Sequence, residues 1–149
     1  MTFSQSVRSV LIDNYGNFKG TASRSEYWWF ALFCGLAIFV VSFVFGIVIA
    51  MAGFGEAAIG IVVGVLMLAL IVPTLGVWVR RCHDVGRSTG EAVVIFVLVN
   101  VVSLATPVGG GFVEVSGTVQ TLAWVVFGLA ALYSLYLATK KGGTGEYPE

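Results

Sequence analysis

Two short segments of this chain carry the side chains that could do chemistry. One segment holds Arg24 and Glu26, and the other holds Arg80, Arg81, His83, Asp84 and Arg87. Arginine guanidinium groups bind carboxylates or phosphates through paired hydrogen bonds, and a histidine imidazole titrates near neutral pH. These residues could therefore join the two segments by ion pairs, bind an anionic lipid headgroup or catalyse a proton transfer.

Ion pairing between the two segments is the interpretation that we favour. Glu26 and Asp84 would each bridge to an arginine of the other segment, where water is partly excluded and paired hydrogen bonds gain strength. Counting His83, the segments hold five basic groups against two acids. The excess positive charge, carried by Arg81 and Arg87, is the basis of the second interpretation, which is binding to lipid phosphates.

An enzymatic role is the least favoured of the three. His83 would have to act as a general base, but consecutive side chains diverge on a helix, so Glu26 rather than Asp84 would have to orient the imidazole. No nucleophile motif or phosphate-binding loop accompanies these residues. Cys82, His83 and Asp84 are too few ligands, at unsuitable spacing, for zinc. We expect no catalytic residue, no metal and no other cofactor.

The composition places both segments in a membrane protein. Of the 149 residues, 58% are apolar and 11% charged, whereas soluble domains average about 25% charged residues. A helix needs about 20 apolar residues to cross roughly 30 Å of hydrocarbon. Apolar stretches at about 27–52, 57–79, 89–106 and 118–138 predict four spans. The expected fold is an all-α integral membrane four-helix bundle of two transmembrane hairpins, with residues 1–149 as a single domain.

The positions of the basic residues predict the orientation, because cytoplasmic flanks retain Lys and Arg during insertion. All 8 of them lie before the first predicted span, between the second and third, or after the fourth. Trp28, Trp29 and Trp78 adjoin the same side, as interfacial aromatic residues do. We therefore expect both termini, in a leader at 1–26 and a tail at 139–149, to be cytoplasmic.

Within the leader, apolar residues recur at helical spacing. They are Phe3, Val7, Val10 and Leu11. Ser4 can cap the start of such a helix and Gly16 can end it. The spacing predicts a short amphipathic helix that lies in the membrane interface.

Pro73 is a helix breaker inside the second predicted span. It removes one helix hydrogen bond, so we expect a bend near Ala69, with the Thr74 hydroxyl available to satisfy the freed carbonyl.

Asn100, backed by Ser103, is the strongest polar group that we expect within the hydrocarbon zone. Such a residue more often forms hydrogen bonds between helices than a transport pathway, since ion-coupled carriers usually place ionisable groups there.

The two charged segments also resemble a known family. Residues 18–30 are similar to its F-x-G-R-x-S-R-S-E-Y-W segment, and residues 80–88 to its R-R-x-H-D-x-G-R-S segment. This is the domain of unknown function 805 family, the bacterial YhaH-like inner membrane proteins. The resemblance implies a multi-span protein of the bacterial cytoplasmic membrane and implies no established activity.

The sequence as a whole favours a non-enzymatic scaffold or adaptor. The charged residues of the two segments, here called the inner-face cluster, would pack the bundle or engage lipid headgroups. The partners of the protein would be membrane lipids, another membrane protein or a second copy of itself. The alternative is a small-solute or ion transporter or channel that acts as an oligomer. With 8 basic and 8 acidic residues, the chain offers no net field to hold nucleic acid.

Overall fold

The structure is a computed structural model that describes residues 1–53, 56–103 and 117–143. In those residues the chain forms five α-helices and one π-helical turn. The α-helices are α1 (Phe3–Arg8), α2 (Arg24–Ala52), α3 (Glu56–Asp84), α4 (Thr89–Ser103) and α5 (Gly117–Thr139), and the π-helical turn is Ser9–Asp13. The described ranges contain no β-strand, so the predicted all-α fold is confirmed.

Three of these helices are long and apolar enough to cross a membrane, at Arg24–Ala52, Gly60–Asp84 and Gly117–Thr139. Helix α4 has 15 residues, and at 1.5 Å per residue it covers only about 22 Å. Residues 104–106, which belong to the predicted third span, lie outside the described residues. A membrane protein is therefore confirmed, whereas the fourth span and the four-helix bundle stay predictions.

Helix α2 is apolar on every side, and its most apolar window has none of its residues buried within the protein. Phe39 and Phe43 stack on each other, with ring centroids 6.1 Å apart, and both remain exposed. A helix that exposes large apolar side chains in this way needs an apolar surrounding, which a bilayer supplies.

The chain packs as two compact units. The first comprises Met1–Phe18 with Ser25–Val77, and the second comprises Lys19–Arg24 with Trp78–Glu149. Helix α3 thus contributes its apolar length to the first unit and its charged end to the second. The prediction of a single domain over residues 1–149 is not tested by this division.

In the first unit, Thr2 begins the leader helix α1, so the prediction that Ser4 caps it is wrong. The Thr2 hydroxyl accepts from the Gln5 amide at 3.5 Å, and the Gln5 side-chain oxygen accepts from the Thr2 amide at 3.0 Å. This reciprocal capping box needs a polar side chain three residues after the cap. Val7 stands three residues after Ser4 and cannot provide one.

The leader contacts the first turns of α2. The Ser9 hydroxyl donates to the Glu26 carboxylate at 3.0 Å, in a buried position. The Phe3 ring meets Trp29 edge-on, with ring centroids 5.9 Å apart. Polar and aromatic contacts therefore hold the leader against α2 within this unit.

The carbonyl freed by Pro73 is satisfied by a residue that the sequence did not indicate. Proline cannot donate to the carbonyl four residues earlier, and the Tyr15 hydroxyl donates to Ala69 O at 2.9 Å. Thr74, predicted for this role, faces Cys34 with 4.0 Å between its Oγ1 and Sγ. The prediction for Thr74 is wrong because a leader residue 54 positions away reaches the carbonyl. The bend near Ala69 stays a prediction.

In the second unit, α4 packs against α5, and Trp78 lies inside the packing. Its side chain is 4% exposed, and the indole Nε1–H donates to Ala92 O in the first turn of α4 at 2.9 Å. A tryptophan next to a basic segment was expected to face the membrane interface. Here it ties α3 to α4, because a buried indole N–H needs an acceptor.

Tyr15→Phe tests the role of the leader at Pro73. The change removes the hydroxyl that donates to Ala69 O, and we expect it to lower the free energy of unfolding in detergent by about 1 kcal/mol.

The matched background is Pro73→Ala, which restores a helical N–H for Ala69 O. In that background Tyr15→Phe should cost clearly less, so the double-mutant cycle reports the coupling. An equal cost in both backgrounds would contradict the assignment.

Candidate functional site

The second charged segment is the C-terminal end of α3. The helix runs past the predicted limit of the second span at residue 79 and stops at Asp84. Gly86 follows with φ +76°, a left-handed conformation that glycine adopts without strain. The Arg87 amide donates to Cys82 O and the Gly86 amide to His83 O, both at 2.9 Å. These two bonds form a Schellman motif, which fixes the direction of the chain toward α4.

Arg81 is the centre of the cluster and is 0% exposed. Its Nη1 donates to the Asp84 carboxylate, its Nη2 to Lys140 O and its Nε to Ala138 O, the last at 3.3 Å. The two carbonyls close the end of α5, where unsatisfied carbonyls and the helix dipole favour a cation. One guanidinium therefore joins the ends of α3 and α5.

The tail after α5 also contacts the C-terminal end of α3. The Gly143 amide donates to Asp84 O at 2.9 Å. A Cβ atom on Gly142 would overlap the Asp84 carboxylate, whereas one on Gly143 would meet nothing within 4 Å. Gly142 is thus required by the close approach of the tail to a carboxylate that Arg81 holds in place.

The segment that precedes α2 is also attached to the end of α3. The Ala22 amide donates to Arg80 O at 3.0 Å. The His83 ring lies between two partners, with Nδ1 3.2 Å from Gly20 O and Nε2 2.8 Å from Thr89 Oγ1. Because a carbonyl only accepts, Nδ1 carries a proton in this arrangement. The imidazole therefore bridges the segment before α2 to the start of α4.

Helix α4 begins with a cap on one side and an acidic contact on the other. Ser88 Oγ accepts from the Glu91 amide at 3.3 Å and so caps the start of the helix. The Glu91 carboxylate accepts from the Tyr133 hydroxyl at 2.7 Å and lies 3.5 Å from Arg87 Nη1. Tyr133 was not among the predicted site residues, because α5 carries several polar side chains and nothing in the sequence distinguishes this one.

The predicted cluster residues belong to both compact units. Arg80, Arg81, His83 and Asp84 lie together on α3, and Arg87 follows them. Asp84 pairs with Arg81 of its own helix rather than with the first segment. Glu26 is buried in the first unit, where it accepts from Ser9.

Arg24 belongs to the second unit with the α3 cluster, and its side chain is exposed.

The predicted intramembrane pair is described only in part. Asn100 Nδ2 donates to Phe96 O of its own helix at 2.8 Å, and its side chain is exposed. The Ser103 side chain lies outside what the structure describes. The expected hydrogen bond between helices at Asn100 stays a prediction.

In the described part of the chain, no three His, Cys, Asp or Glu side chains come close enough together to hold a metal ion. The acceptors around Arg81 are two backbone carbonyls and one carboxylate. All three acceptors belong to the ends of α3 and α5.

These observations define an integral membrane protein, all-helical in its described residues, with a buried arginine at the junction of its helix ends. The chain belongs to the family described as protein of unknown function (DUF805), whose family model matches residues 15–147. The expected family membership is therefore confirmed.

Curated relatives agree with this assignment. The chain is 31% identical over 90 residues to the inner membrane protein YhaI of Escherichia coli K12, covering 58% of this chain and 68% of YhaI. It is 32% identical over 88 residues to the inner membrane protein YhaH of the same strain, covering 58% of this chain and 69% of YhaH. No solved structure matches the chain.

Gly142→Ala tests whether the tail is held against Asp84. We expect the added methyl group to lower the free energy of unfolding by about 1–3 kcal/mol, as other overpacked sites do, and to expose the tail to protease.

Gly143→Ala is the control, since its methyl group meets open space and both changes alter the unfolded chain alike. Equal stability and equal protease sensitivity of the two variants would argue against the close approach.

Proposed function

We propose that this chain is a non-enzymatic scaffold or adaptor of the bacterial inner membrane, in which the polar cluster packs the helices against each other. The observation that carries the proposal is the burial of Arg81. Its guanidinium is used on one carboxylate and two backbone carbonyls. A catalytic or ligand-binding arginine would expose donors to a substrate or headgroup, whereas Arg81 is 0% exposed.

The surroundings of His83 support the same role. Both ring nitrogens lie within hydrogen-bond distance of protein atoms, Gly20 O and Thr89 Oγ1. A general base needs an open nitrogen within reach of its substrate. His83 is therefore better suited to joining two segments than to moving a proton.

Headgroup binding at the cluster would have to use its outer residues. The side chain of Arg87 is 39% exposed and lies 3.5 Å from Glu91, so it keeps donors for a phosphate. Arg81 is buried, which removes it from the pair of arginines expected to bind lipid. We assign packing to Arg81 and, within this cluster, restrict lipid contact to Arg87.

The membrane arrangement completes the proposal. Two hairpins would give four spans, and the basic residues would lie on one side. Cytoplasmic loops retain Lys and Arg, so both termini would face the cytoplasm. The names of the two relatives as inner membrane proteins support this location.

Paired Arg→Gln variants separate packing from lipid contact. Arg81→Gln leaves Asp84 and two carbonyls without their donor, and we expect it to lower the free energy of unfolding in detergent by about 3 kcal/mol or more. Arg87→Gln breaks only a half-exposed pair and should cost about 1 kcal/mol or less. If Arg87→Gln were the more damaging change, the packing role of Arg81 would be refuted.

Reconstitution into liposomes discriminates the scaffold from a transporter or channel. We expect vesicles containing the protein to hold a proton gradient, a potassium gradient and an entrapped neutral solute as long as protein-free vesicles do. Gramicidin serves as the positive control for ion leak. A leak that rises with the amount of protein would replace the scaffold by the oligomeric conductor.

A further inference from the structure

The leader and α2 form an open apolar groove in the first unit that the polar cluster does not involve. Its volume is about 420 Å³, and its apolar walls are Phe3, Val7, Leu11, Ile12 and Phe33. Ligand sites of this size range hold small molecules and chain segments. The groove is therefore large enough to take more than a single side chain.

The charge at the groove is positive. Arg8 is part of its lining, and Ser4 is the remaining polar residue there. In the part of the chain that the structure describes, no carboxylate lies within ion-pair distance of Arg8. Asp13, the acidic residue that follows Arg8 in the leader, is not part of the lining.

The residues around the groove indicate that it lies at the level of the lipid headgroups. Phe33 belongs to α2, which is long and apolar enough to span a membrane, and it lies on the turns that follow the charged start of that helix. Phe3 contacts both Phe33 and Trp29, and tryptophans concentrate at the level of lipid headgroups. At this depth, an apolar groove with an arginine at its edge can contact the acyl chain and the phosphate of the same lipid molecule.

We propose that this groove binds one anionic phospholipid, with an acyl chain along Phe3, Val7, Leu11 and Phe33 and the phosphate on Arg8. Charge complementarity selects the anionic class, since an unpaired guanidinium favours phosphate. The site would fix the leader to the membrane through a bound lipid in addition to its contacts with α2.

The test is lipid retention by the full chain. The protein is reconstituted in vesicles of equal parts phosphatidylglycerol and phosphatidylethanolamine, extracted in mild detergent and weighed by native mass spectrometry. We expect one phosphatidylglycerol per chain, retained in preference to phosphatidylethanolamine. Free sn-glycerol 3-phosphate should not displace it, because it has no acyl chain.

Substitutions at Arg8 and in the groove wall, with one control, separate the contribution of the charge from that of the apolar groove. Arg8→Gln should reduce retention of phosphatidylglycerol about fivefold, and Arg8→Lys should restore most of it. Val7→Trp should fill the groove and abolish retention, with Leu11→Trp as the substitute if Val7→Trp does not fold by circular dichroism. Lys141→Gln removes the same charge outside the groove and should leave retention unchanged.

Several results would overturn the proposal. Retention that is the same in the wild type, Arg8→Gln and the groove-filling variant would mean that the groove holds no lipid. If Arg8→Gln lost phosphatidylglycerol but the groove-filling variant retained it, the result would indicate a surface charge effect without an acyl site. If only the groove-filling variant lost the lipid, the site would have no preference for anionic lipid. Displacement of the lipid by free glycerol phosphate would indicate a phosphate site without an acyl site.

Discussion

A buried guanidinium must be surrounded by hydrogen-bond acceptors, and at Arg81 this requirement determines how the C-terminal ends of α3 and α5 are joined. Removing an ion from water costs several kcal/mol unless its partners are well placed. Arg81 meets the cost with Asp84 and the carbonyls of Ala138 and Lys140. The carbonyls are available because the last turn of a helix leaves them unsatisfied. The arginine and the end of α5 therefore satisfy each other's hydrogen-bonding needs.

The other contacts of this unit follow from that arrangement. The Schellman motif at Gly86 turns the chain after α3. The Asp84 carboxylate, which is paired with Arg81, lies against Gly142 of the tail. His83 and Trp78 connect the same helix end to the start of α4. In lipid, apolar helices gain little from burying apolar surface against each other. Polar contacts at the ends of the helices are accordingly an effective way to fix their arrangement.

Much of the fold was predictable because charge and hydropathy act along the chain. The long apolar helices, the leader helix and the family motifs were all indicated by the sequence. The specific partners were not. Arg81 binds backbone carbonyls, which have no signature in the residue types of α5. Tyr15 reaches a carbonyl that is available because Pro73 has no N–H to donate to it. A guanidinium was assumed to seek carboxylates across segments, whereas the nearest acid was three residues away on its own helix.

The most direct measurement of this arrangement is amide hydrogen exchange at Gly143, which lies in the tail beyond the last helix. Its amide donates to Asp84 O, so exchange in the wild type should be slower than in a free peptide by about a hundredfold or more. Arg81→Gln should remove that protection while the central amides of α2 remain protected. Exchange at the free-peptide rate in the wild type, or unchanged protection in Arg81→Gln, would contradict the organising role of Arg81.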